Sequence, residues 1–175
     1  MMRLHRITDY EKLDGQKLME LYRESNTDNI DYFYSDIADK AEALRKVEER
    51  FLNFVQNEFF IREGSEYCVL EKDAVWVSAL RLSRIEDGLY YIEALETHPA
   101  CRRHGYAAQL LNRVIGVLKP AGPFRLCDCV GRTNEASLKT HLKCGFEIVQ
   151  GPAFDYLRKE NEEHHYGMQY LFQCD

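Results

Sequence analysis

Residues 98–111, HPACRRHGYAAQLL, gather a proline, two arginines and two histidines around Gly105 and then pass directly into an apolar, periodic run. Backbone N–H groups at a helix start lack partners and carry the positive end of the helix dipole, so an anion is a natural occupant there. Gly105 and Ala107 are small enough to let such a group approach the backbone; Arg102 and Arg103 add charge, and His104 can donate. A solvated basic turn has the same composition. The flanking sequence has to decide.

Upstream, EYCVLEKD (66–73) and AVWVSALRLSRI (74–85) read as strands joined by a charged turn, and EDG (86–88) turns the chain into LYYIEALETH (89–98), which Pro99 ends. Downstream, Ala107, Leu110, Leu111, Val114 and Leu118 have the spacing of one buried helix face, stopped by LKPAGP (118–123). FRLCDCV (124–130) reads as a buried strand, TNEASLKTHLKCG (133–145) as a helix, FEIVQG (146–151) as a strand, RKENEEHH (158–165) as a charged loop and YGMQYLFQ (166–173) as a last strand. Toward the N-terminus, residues 4–7 form a short apolar segment, and Leu13, Leu18, Leu21 and Tyr22 repeat with helical spacing. Residues 25–36, SNTDNIDYFYSD, read as a polar and aromatic loop, and 39–60 as one long amphipathic helix. Hairpin-linked strands followed by strand–helix–strand crossovers imply an α/β (α+β) domain: a mixed sheet with helices on its faces.

The chain of 175 residues suits a single domain, 1–175, and its net charge of −6 gives no general claim on nucleic acid or anionic membrane. No apolar run is long enough to span a bilayer, and the first residues lack the apolar core of a secretion signal. The six cysteines form no CxxC pair, so reduced thiols in a cytoplasmic protein are expected, with neither a zinc site nor a disulfide framework. His164 and His165 sit in a charged loop without a third ligand nearby, so no metal is expected. A dinucleotide fold would need GxGxxG after a first strand, which is absent.

Arg102-Arg103-His104-Gly105-Tyr106-Ala107 resembles the acyl-CoA loop of the GNAT acetyltransferase superfamily, [RQ]-x-x-G-x-[GA]. The run from Asn134 through Ser137 and His141 to Gly145-Phe146 resembles that family's second signature, with His141 standing where a tyrosine is usual. The resemblance implies a mostly antiparallel seven-stranded sheet with strands four and five splayed, and acetyl-CoA as co-substrate. It implies that the backbone of Leu95, Glu96 and Thr97 holds the acyl carbonyl, that residues 102–107 hold the pyrophosphate, and that Asn134 and Ser137 approach the cofactor. It further implies direct transfer to an amine in a ternary complex, with no cysteine nucleophile.

Acyl transfer to an amine needs a neutral amine, support for charge on the thioester oxygen and a proton for the leaving thiolate. Glu93 is the first candidate for base or amine anchor and Glu96 the second; strict alternation puts them on opposite faces, and an arginine-paired structural carboxylate is the alternative for either. Ser137, His141 and Cys144 share a helix face, so His141 or Ser137 is a candidate acid, while a packed His141 with solvent protonating the thiolate is the other reading. Tyr156 is a further substitute. Asp128, a carboxylate in an apolar strand, is expected to orient either the substrate amine or an arginine. The acceptor is expected to be a small-molecule primary amine; the aromatic and acidic residues of 28–36 suit a cation with some apolar surface. A non-catalytic acyl-CoA sensor and a protein N-acetyltransferase are the alternatives, with a monomer or homodimer in either case.

Overall fold

The structure, a computed structural model, describes residues 1–173; Cys174 lies outside the described residues. The period-two runs form β1 (Met2–Ile7), β2 (Ser65–Lys72), β3 (Val75–Glu86), β4 (Leu89–Thr97) and β5 (Phe124–Gly131). They are followed by the two-residue β6 (Glu147–Ile148), a separate hairpin of β7 (Ala153–Asp155) and β8 (Glu160–Glu162), and β9 (His165–Phe172). One seven-stranded sheet runs β1-β2-β3-β4-β5-β9-β6. Every neighbouring pair in it is antiparallel except β4 and β5, which are parallel. This is the mixed, mostly antiparallel sheet flanked by helices that the sequence implies.

Both faces of the sheet are covered. Helices α1 (Gly15–Leu21), α2 (Arg23–Asp28), α3 (Ile30–Phe33) and α4 (Lys40–Phe54) precede β2, while α5 (Tyr106–Leu118) and α6 (Glu135–Lys143) flank β5. In β2, Cys68 and Leu70 turn toward the α5 side with Leu110, Leu111 and Val114, while Tyr67 and Val69 turn toward the α1 side with Leu18, Leu21 and Phe59. That alternation is the two-residue period of a strand buried on both faces.

Three expectations from the sequence are corrected. Residues 25–36 are not a loop; they contain most of α2 and all of α3, because Ile30 is buried against Ala43 and Val47 and this packing overrides the poor helix propensity of the Ser, Asn and Asp residues. Segment 39–60 is not uniformly α-helical: Asp39 caps α4 by accepting from Ala41 N and Glu42 N, but the chain widens into a π-helical turn over Val55–Phe59. The charged stretch 158–165 contains β8, and Arg158 ties its side of the hairpin together by pairing with Asp155, Glu160 and Glu162.

Candidate active site

The site begins with a one-residue irregularity. Between Arg81↔Glu93 and Ala79↔Glu96, β3 advances two residues while β4 advances three, and the extra residue, Ala94, takes φ 52°, in the left-handed region. This bulge resets the alternation. Leu95 packs on the α5 side, whereas Glu93, Ala94 and Glu96 all face the side of α1, α2 and α4. The sequence expectation of opposite faces for Glu93 and Glu96 is therefore corrected: both carboxylates flank one bulge on one face. Tyr22 Oη, from that side, donates to the Ala94 carbonyl at 2.5 Å.

Next to the bulge the sheet opens. The parallel pairing of β4 with β5 covers only Leu89, Tyr90 and Tyr91 opposite Arg125, Leu126 and Cys127. Beyond Tyr91 the strands part, and a cleft of ≈ 700 Å³ lies past the separation. Leu95, Glu96 and Thr97 line it from β4, and Arg102, Arg103, Gly105, Tyr106 and Ala107 from the following loop and the start of α5. Asn134 and Ser137 line it from α6. Of the cofactor-side residues named from the sequence, His104 does not line the cleft: its ring stacks on Tyr106 at 5.7 Å and its Nδ1 lies 2.8 Å from the Arg102 carbonyl oxygen. Sequence reasoning missed Ala136, Thr140 and Lys143, which lie on the cleft wall; their signal is the helical spacing from Ala136 to Thr140 and Lys143.

The loop has the geometry of an anion cradle. Gly105 is the N-cap of the 13-residue α5, takes φ 74°, and makes no side-chain capping bond to the first-turn amides. A Cβ at Gly105 would meet nothing within 4 Å, so no protein neighbour fills the space beside this cleft-lining residue. Arg102 reaches back to Glu24 at 2.8 Å and Glu96 at 3.4 Å, which fastens α2 to the same loop. Asn134 caps α6, its Oδ1 accepting from Ser137 N at 3.1 Å.

The two carboxylates differ in their surroundings. Glu96 is engaged on both oxygens: Ser25 Oγ donates to Oε2 at 2.6 Å, and Thr97 N and Arg102 approach Oε1 at 3.3 and 3.4 Å. Glu93 Oε2 sits 3.6 Å from Arg81 Nε, an ion pair beyond hydrogen-bond distance, and it is buried without a hydrogen-bond partner among the described residues. Burial raises the Glu93 pKa above the usual carboxylate range, with Arg81 opposing.

His141 is not among the residues that line the cleft. The imidazole is fully buried, edge-on to Phe146, its Nδ1 2.8 Å from the Ser137 carbonyl and its Nε2 2.9 Å from Asp128 Oδ2, outside straight hydrogen-bond alignment. A carbonyl only accepts, so Nδ1 carries a hydrogen and Nε2 is left facing Asp128. Ser137, His141 and Cys144 do share a face, but that face packs inward, and Cys144 Sγ donates to the Ala108 carbonyl at 3.6 Å. Asp128 thus faces His141, and among the described residues no arginine pairs with it. Burial raises the Asp128 pKa against the pull of His141; the imidazole is also raised, because Asp128 outweighs the lowering effect of burial. Tyr156 lies on the opposite face, 5.7 Å from Tyr91 and beside Cys127 and Cys129. Burial pushes the Cys129 thiol up to about 11, which leaves it protonated near neutrality. His165 pairs with Glu162 at 3.4 Å, and among the described residues no three His, Cys, Asp or Glu side chains gather as for a metal ion. No helix among the described residues is long and apolar enough to cross a membrane.

A parted pair of parallel strands with an uncapped helix start beside it frames the cleft. Residues 16–146 match the model of the acetyltransferase (GNAT) family, and the chain belongs to that family. No curated protein sequence matches the chain. Among solved structures it is similar to PaiA N-acetyltransferase from Thermoplasma acidophilum in complex with coenzyme A (TM-score 0.66, 16% identity, 98% of this chain and 99% of that one). It is similar also to the ribosomal-protein-S18-alanine N-acetyltransferase from Escherichia coli (TM-score 0.66, 14% identity, 100% and 96%). A third is the N-acetyltransferase PseH from Campylobacter jejuni in complex with acetyl coenzyme A (TM-score 0.58, 15% identity, 98% and 99%). At these identities the likeness is one of fold.

Proposed function

We propose that this chain, acting as one domain, transfers the acetyl group of acetyl-CoA to a primary amine of a small molecule by direct attack in a ternary complex. The observation that carries the reading is the ≈ 700 Å³ cleft where β4 leaves β5, lined by Leu95–Thr97 on one side and by the uncapped start of α5 on another. Acetyl-CoA supplies an activated acyl group. The first-turn amides of α5, with Arg103 and Lys143, receive the pyrophosphate; the open space at Gly105 admits it. Backbone amides of residues 95–97 support charge on the thioester oxygen. Asn134 and Ser137 border the pantetheine arm.

Glu93 is the base in this reading. Its raised pKa makes it a better proton acceptor than an ordinary surface carboxylate, and Oε2 has no competing partner. Glu96 is a positioning residue, since Ser25, Thr97 N and Arg102 already occupy it. We assign no acid role to His141. A thiol with a pKa of about 8.5 leaves readily as thiolate, so water in the open cleft suffices to protonate it.

The test is thiol release from acetyl-CoA across polyamines, aminoglycosides, amino acids and peptides, with mass spectrometry of the acceptor. Transfer to a small amine supports the reading. Transfer to protein amines alone points to a protein acetyltransferase, and tight acetyl-CoA binding without transfer points to a sensor.

A further inference from the structure

A second cavity, of ≈ 430 Å³, lies between α2, α3 and the π-helical end of α4, on the acceptor side of the bulge. Asn26, Asn29, Phe33, Arg50, Phe54 and Glu58 are among the residues lining it. Its charge is unusual for the helix that supplies it. The other basic side chains of α4 are all engaged: Lys40 with Asp31, Arg45 with Glu49 and Lys46 with Glu42. Among the described residues Arg50 forms no ion pair; its guanidinium lies over the Phe33 ring, 4.6 Å from the centroid. Asn26 gives an independent sign. It is 2% exposed, yet its Nδ2 donates to the Met19 thioether at 3.5 Å, a weak acceptor for a buried amide.

We infer that this cavity is the far subsite for the acceptor, and that it takes a carboxylate held by Arg50 with the amides of Asn26 and Asn29. The proposal rests on the transferase reading above and names its acceptor class: an amine carrying a carboxylate at its other end. A planar guanidinium stacked on an aromatic ring is pre-oriented for two-point binding of a carboxylate. Arg50 is the one cation and Glu58 the one anion of the lining; the guanidinium over Phe33, without an ion pair among the described residues, is the group that meets the carboxylate, with the amides of Asn26 and Asn29 beside it.

The side chains between Arg50 and Glu93 give the span. Arg50 stands one helical turn, about 5.4 Å, before Phe54. The Phe54 ring lies 4.9 Å from the Arg81 guanidinium, whose Nε is 3.6 Å from Glu93. Steps of that size place the amine and carboxylate ends of the acceptor on the order of 10 Å apart. This replaces the expectation of a cation held by the acidic residues of 28–36: Asp31 is exposed and paired with Lys40, and Tyr32 is 82% exposed.

Three probes of one length separate the possibilities: 8-aminooctanoate, octylamine and 1,8-diaminooctane, assayed by thiol release from acetyl-CoA. The carboxylate is expected to raise kcat/KM by about tenfold over octylamine, the scale of one charge-assisted hydrogen-bonded pair, and Arg50→Gln is expected to bring that ratio toward one. Calorimetric titration with octanoate, which has no amine to acetylate, reads the subsite without turnover. Octanoate binding lost in Arg50→Gln upholds the subsite even if no amine is acetylated, and in that event it is the transferase reading that fails. No octanoate binding to the unaltered protein, a preference for the diamine, or an Arg50→Gln effect equal on all three amines would overturn the proposal.

Discussion

The buried pair of His141 and Asp128 gives the sharpest quantitative expectation. The two side chains are 0% and 10% exposed, so solvent screens little of their interaction. Removing one partner leaves a buried polar group uncompensated; His141→Leu and Asp128→Asn are each expected to cost roughly 3–5 kcal/mol of stability. His141→Leu also loses the bond to the Ser137 carbonyl, about 1 kcal/mol within that range. The double variant His141→Leu/Asp128→Leu should cost well under the sum, because neither group is stranded. The pH dependence has a definite sign. Both folded pKa values lie above their unfolded ones, so the folded chain keeps a proton that the unfolded chain releases. The histidine's share of this stability is full below its unfolded pKa of about 6.5 and is lost as pH rises through its raised folded value, by up to about 1.4 kcal/mol per pH unit for one proton. The share of Asp128, raised as well, is full only below its unfolded value of about 3.9 and is lost as pH rises through its own folded value. Urea unfolding monitored by Trp76, the single tryptophan and 7% exposed, measures it between pH 6 and 9. The pair has no such role if the unaltered protein and His141→Leu show parallel pH profiles, or if each single change costs under about 1 kcal/mol.

Glu93→Gln should lower kcat about a hundredfold with little change in KM for acetyl-CoA; the rise of kcat/KM with pH, set by a carboxylate titrating above its usual range, should disappear. An unchanged pH–rate profile in steady-state assays would remove Glu93 as base. Gly105→Val adds bulk to the open cleft side and forces a β-branched residue to φ 74°, so acetyl-CoA affinity measured by calorimetry should fall by tenfold or more, roughly 1.4 kcal/mol or above. Leu111→Ala, a fully buried position on α5, should lower unfolding free energy by roughly 2–5 kcal/mol in urea titrations, with residual activity per folded molecule preserved.

The cofactor side was legible because it is local. Pro99 closing a strand, Gly105 opening a helix and the apolar series ending at Leu118 each act on their own neighbourhood, and together they point to the cleft wall. The acceptor side depends on relations that no local pattern carries. Ala94 adopts a left-handed conformation without the glycine that would signal it, so the alternation of LYYIEALET misplaces Glu96 relative to Glu93. The helical spacing of Ser137, His141 and Cys144 identified a shared face, but only the docking of α6 against β5 and α5 turns that face inward onto Asp128. No local pattern sets Arg50 apart on the amphipathic helix; its distinction is that the other basic residues of α4 are paired and, among the described residues, it is not. The π turn after Phe54 has no sequence signature here either, though it sets where Phe54 and Phe59 meet Arg81.

The bulge at Ala94 makes the placement of the acceptor chemistry a matter of parity. In a regular strand each residue inverts the side of the next, so an extra residue that no bulge absorbs exchanges inside and outside for everything between it and the strand's end. Were Ala94 to take ordinary strand geometry instead of forming the bulge, Glu96 would point toward α5 and leave Ser25, and Leu95 would surrender its place in the opposite core. Altering the amine specificity of such a scaffold by inserting or deleting one residue in β4 is therefore a discrete act, whereas side-chain substitution tunes it by degrees.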